Sequence, residues 1–145
     1  MIFIDLIQNL ALLVALSLIA GFVADRTRDR PRLGVLLLGL VFGSAAVLGM
    51  LRPLTLGPGL IFDGRSVMLS LCGLFFGPAA TALACAISVW FRLIQGGVGA
   101  FTGALVMLAS GGVGLLFHRY CRPWERDTSA STLLLLGLIT HVAML

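Results

Sequence analysis

The chain has 145 residues, of which 59% are hydrophobic and only 11% charged, with a formal net charge of +4. Its mean hydropathy of +1.09 excludes a soluble domain, in which about 25% of residues carry charge. All ten basic residues are arginine, and they sit at the ends of apolar runs rather than in a stripe beside aromatics, which excludes nucleic acid as a partner.

Apolar runs separated by short arginine-bearing linkers predict an all-α fold: a polytopic membrane bundle of five to six transmembrane helices with a short, broken third helix, its first partner the lipid bilayer. A β-barrel would show ~10-residue segments of alternating polarity, and the sequence has none.

In chain order, Ile4–Ala24 is the first span. The linker Asp25–Arg32 follows with four arginines in eight residues, which places it in the cytoplasm and the N-terminus outside. Leu33–Leu51 returns outward and carries Gly39-x-x-x-Gly43, a spacing that lets helices approach closely in lipid. The same spacing recurs at Gly73/Gly77 and Gly99/Gly103. Arg52–Phe62 holds two prolines and two glycines, so it reads as an ordered apolar loop rather than a helix.

Ser66–Phe91 is either one long span or a helical hairpin turning at Gly77-Pro78. The hairpin gives the better charge asymmetry: it leaves Arg119, Arg122 and Arg126 inside with the first linker, and Arg52, Arg65 and Arg92 outside. Its first arm, Ser66–Phe76, would be about 17 Å long, short for a span. Ala79–Leu93 is the outgoing arm, with Trp90 as an interfacial anchor. A turn at Gly96–Gly99 leads into the inward span Gly99–Phe117, and His118–Thr128 is cytoplasmic. Residues 1–128 thus form a five-helix unit. Residues 129–145 begin a further helix that is cut short, and the sequence predicts a longer parent chain.

No cofactor is expected. Cys72, Cys85 and Cys121 are too scattered for a zinc site, and His118 and His141 have no cysteine at ligand spacing. No Gly-x-Ser-x-Gly or paired intramembrane carboxylates point to an enzyme.

The hairpin would bring Arg65, at the start of the third helix, and Arg92, at the end of the fourth, to one membrane face. Two adjacent guanidinium groups repel unless an anion lies between them. Asp63 is one candidate for that anion, or a cap for the third helix. A small carboxylate is the other, bound in the planar, two-pronged way that arginine favours. Ser66 beside Arg65, and Gly97 in the glycine turn, complete the candidate set. A structural ion network of Arg65, Arg92 and Asp63 is the competing reading.

Phe62-Asp63-Gly64-Arg65-Ser66, then Gly73–Pro78 (GLFFGP), Trp90-Phe91-Arg92 and Gly96-Gly97 resemble the LytS-type five-transmembrane receptor domain over Ile2–Tyr120. The resemblance implies a multi-pass sensor in a bacterial inner membrane. It also implies a small extracellular ligand such as pyruvate held by Arg65 and Arg92, homodimerisation through the full-length protein, and output to a histidine kinase or diguanylate cyclase module outside this chain. Relatives often carry an Asn-x-Arg or Asp-x-Arg form at this motif; here it is Asp63-Gly64-Arg65, and Asp63 bears on ligand preference. A small-solute transporter is the alternative of another class, since broken helices and glycine-rich packing suit it as well.

Overall fold

Helix boundaries follow the chain's own punctuation. In the computed structural model, which describes residues 2–51, 54–57, 60–62, 64–121 and 130–142, the helices are α1 (Ile2–Arg26), α2 (Pro31–Leu51), α3 (Gly64–Gln95), α4 (Ala100–Cys121) and α5 (Ala130–Val142). Pro31 opens α2 at the one helical position where a missing N–H costs nothing, and the Arg30 carbonyl accepts from Gly34 N–H at 3.0 Å. Gly96 and Gly97, with φ of 68° and 94°, close α3 in a conformation that glycine adopts without a steric penalty. Among the described residues, three helices, Pro31–Leu51, Gly64–Gln95 and Ala100–Tyr120, are long and apolar enough to cross a membrane.

The decisive element is α3. Gly77 has φ 80° and ψ −170°, a region essentially reserved for glycine, and Pro78 follows with no N–H to donate. The helix is therefore two arms, 64–76 and 78–95, and they fold back on one another. Gly111 of α4 touches both. A methyl group on Gly111 would lie 2.9 Å from Cys85 Sγ and 3.1 Å from Thr81 Cγ2, while one on Gly73 would lie 2.9 Å from the Gly111 carbonyl oxygen. On an unbroken helix Gly73 and Cys85 would be ~18 Å apart, beyond the reach of one residue. The side chain of Cys72 also meets Thr81 across the hairpin.

Other contacts fix the directions. Gly39 and Gly43 of α2 lie against Leu83 and Ile87, so α2 runs parallel to the second arm. Phe42 meets Phe76 with ring centroids 5.5 Å apart, and Gly49 meets Arg65, so α2 is antiparallel to the first arm. Gly103 lies against Arg92 and Gly77 against His118, which sets α4 antiparallel to the second arm. One end of the bundle thus holds the Gly77 elbow, the start of α2 and the end of α4. The opposite end holds Arg65, Arg92, the end of α2 and the start of α4. Trp90 and Tyr120, exposed at 70% and 81%, mark these opposite ends as interfacial aromatics do.

The core is tight because backbones touch. Met68, Leu69, Cys72 and Leu74 of the first arm are fully buried, with Gly73, Gly111 and Gly114 bringing α4 directly against that arm. The three glycine pairs with equal spacing do different things. Gly39 and Gly43 receive side chains of the second arm, as close packing predicts. Gly77 receives only the His118 ring at an ordinary 3.5 Å and is needed for its φ. Gly99 and Gly103 lie beneath Arg92.

Between α2 and α3 the chain forms a small antiparallel hairpin, β1 (Leu54–Gly57) with β2 (Leu60–Phe62), pairing Leu54 with Phe62 and Thr55 with Ile61. The sequence predicts an ordered apolar loop there, without strands. Strands of four and three residues are too short for an alternation of apolar and polar residues to register.

Candidate ligand site

The elbow determines what meets at the arginine end. Because α3 starts and finishes there, Arg65 in its first turn and Arg92 in its last turn share that end with the last turn of α2 and the first turn of α4. Arg65 is half-buried and lays its aliphatic stem along α2: a methyl group on Gly49 would come within 3.3 Å of its Cγ. Arg92 crosses to α4, where a methyl group on Gly103 would lie 3.0 Å from Nε and one on Gly99 would lie 3.8 Å from Nη2. Nη1 of Arg92 donates to Gln95 Oε1 at 3.0 Å, but its Nε–H is buried and has no partner.

Buried hydroxyls lie deeper in the bundle. Among the described residues, Ser66, Ser70, Ser88 and Ser110 are all at most 2% exposed. Three of them are satisfied by their own helices: Ser70 donates to the Val67 carbonyl at 2.9 Å, Ser88 to Ala84 at 2.7 Å and Ser110 to Val106 at 2.8 Å. Ser66 is not, and its Oγ has no partner. The reason is local. α3 begins at Gly64, so no helical turn precedes Ser66 to offer a carbonyl. Buried polar groups are nearly always hydrogen-bonded; among the described residues Ser66 Oγ, Arg92 Nε and Thr140 Oγ1 are not, and the first two lie toward the arginine end.

Ser66 and Ser110 lie at nearly the same depth. A methyl group on Gly114 would meet Ser70 Cα at 2.9 Å, and each serine sits one turn toward the arginine end from that contact on parallel helices.

Of the five candidate residues, the fold brings Arg65, Ser66 and Arg92 to one end. Gly97 joins them in the exposed turn beyond Arg92, where its carbonyl accepts from Ala100 N–H at 3.0 Å and caps α4. Asp63 lies outside the described residues, as do Arg122, Arg126 and the rest of the linker before α5. Sequence reasoning missed Gly99 and Gly103 as the floor under Arg92. The spacing was visible, but a helix-packing pair and an arginine platform look the same on paper. Among the described residues, no three His, Cys, Asp or Glu side chains are grouped so as to hold a metal ion.

The family model described as 5TMR of 5TMR-LYT matches residues 21–145. The chain belongs to the LytS-type five-transmembrane receptor family. This receptor domain is a membrane sensor of signalling proteins, and the match to it runs from the last six residues of α1 through α5. Comparison of this LytS-type domain with the curated proteins and with the solved structures finds no match.

Proposed function

We propose that the arginine end of this sensor domain binds a small carboxylate of the pyruvate kind on the non-cytoplasmic side of a bacterial inner membrane. The bound state is relayed to a cytoplasmic histidine kinase or diguanylate cyclase module, with the full-length protein acting as a homodimer. One observation carries the reading: Arg92 Nε–H and Ser66 Oγ–H are both buried and unpartnered at the end the fold shares with Arg65. A carboxylate offers an acceptor to either donor, and charge-assisted bonds from arginine are the stronger kind. Orientation rests on the arginine count. Arg26, Arg28, Arg30, Arg32 and Arg119 lie at or beside the elbow end, which the positive-inside rule assigns to the cytoplasm.

The test is pyruvate binding to purified protein by calorimetry. Arg65→Ala and Arg92→Ala should each weaken it at least tenfold, since a hydrogen bond to a charged group contributes about 1.5–3 kcal/mol, while both variants still elute as a single folded species. Unchanged affinity in both removes the proposal. Gly103→Ala is a finer probe. Its methyl group would displace Arg92 Nε, the flexible side chain can yield, and so the melting temperature should stay within a few degrees while the pyruvate Kd rises several-fold. Because a folded-back helix also suits a transporter, labelled pyruvate accumulating inside proteoliposomes would favour transport over sensing.

A further inference from the structure

Among the backbone groups that the elbow deprives of a helical partner is the carbonyl of Leu74. In a continuous helix the carbonyl of Leu74 would accept from the N–H four residues on, and that residue is Pro78, which has none. A buried carbonyl left open in an apolar bundle is costly. The structure supplies a substitute from another helix: His118 Nδ1, near the end of α4, lies 2.6 Å from Leu74 O. A carbonyl can only accept, so Nδ1 carries the proton. The opposite edge of the ring faces the elbow, with Nε2 at 3.5 Å from where a Gly77 methyl would stand.

We infer that His118 is the positioning residue of the elbow, a side-chain replacement for the N–H that Pro78 lacks, held as the Nδ1–H tautomer. The bond ties the last helical turn of the first arm to the last turn of α4. The first arm cannot slide past α4 at that end without breaking it. That same arm carries Arg65 and Ser66 at its other end, so the clasp links the arginine end to the end of α4 at Cys121. The inference does not depend on what binds between the arginines.

The test uses the full chain in detergent micelles or nanodiscs, with His141→Gln so that one imidazole is observed. Nitrogen-15 NMR of labelled histidine at pH 8, where an ordinary imidazole is neutral, should report protonated Nδ1 and bare Nε2. The opposite tautomer overturns the inference whatever the variants do. Variants then separate donor geometry from bulk. Asparagine places an N–H where Nδ1 sits; glutamine places it where Nε2 sits. His118→Asn should keep the wild-type melting temperature and the Leu74 carbonyl carbon-13 shift. His118→Gln and His118→Ala should both lose that shift and melt several degrees lower. If asparagine, glutamine and alanine melt alike, the ring is a packing element and the clasp is refuted.

Discussion

Replacing Gly114 by valine should leave almost no protein that survives extraction as a single species, whereas Gly112→Val, two residues away, should behave like the wild type. The difference lies in what each new side chain would meet. A methyl group on Gly114 would come within 2.8 Å of the Ser70 carbonyl carbon and 2.9 Å of its Cα, while one on Gly112 has nothing within 4 Å. Ser70 is backbone inside a helix and cannot rotate aside as a side chain would. Nor can the neighbourhood give, because Gly73 is pressed equally closely against Gly111 and Gly114 from the other side. Overpacking a tight core costs about 1–3 kcal/mol and occasionally more. In a bilayer, where association of helices rests on close packing rather than on water exclusion, separating α4 from the first arm removes much of what holds the two together. Thermal unfolding read by size-exclusion fluorescence distinguishes the two variants. Equal survival of both would show that the backbones of α4 and the first arm are not in direct contact at Gly114.

Ser66→Ala should move stability and binding in opposite directions. In the ligand-free protein the Ser66 hydroxyl is fully buried with no partner, and such a group carries a penalty of about 1–3 kcal/mol. Removing the oxygen relieves that penalty at no loss of packing volume larger than one atom, so the melting temperature without ligand should rise by several degrees. Pyruvate, if it completes the hydroxyl, should then bind several-fold to tenfold more weakly, tenfold being about 1.4 kcal/mol. Ser70→Ala is the control. Its hydroxyl already donates to Val67, so its loss should change both quantities little. A purely structural serine would shift neither, or lower stability alone. Ser66→Ala that melts lower than the wild type would contradict the orphaned hydroxyl.

The sequence made the larger outline legible because charge and proline act at long range. Arginines at the ends of apolar runs and Gly77-Pro78 in the middle of one predicted a fold-back, and contacts from Gly111 to both arms are its consequence. The first arm's shortness was legible for the same reason, since Arg65 bounds it at one end and Gly77-Pro78 at the other. Less was readable where function depends on which neighbour a residue meets. Gly39/Gly43, Gly73/Gly77 and Gly99/Gly103 share one spacing, yet the first pair and Gly73 serve helix packing, Gly77 a positive φ, and the last pair an arginine platform. The isolation of the Ser66 hydroxyl follows from where α3 begins, a boundary that sequence locates only to within a few residues. His118 read as an ordinary histidine because its partner is a backbone carbonyl 44 positions away, and no side-chain pattern records that. The strands at Leu54–Gly57 and Leu60–Phe62 were hidden by their brevity.

The elbow also sets a parity. Two arms joined at Gly77 return α3 to the end where it began, so everything after Gln95 emerges on the side dictated by an even count. Were residues 64–95 one rod, α4 would run the other way, and Arg119 with Cys121 would be delivered to the opposite compartment. A single glycine dihedral therefore decides at which end of the bundle α4 finishes.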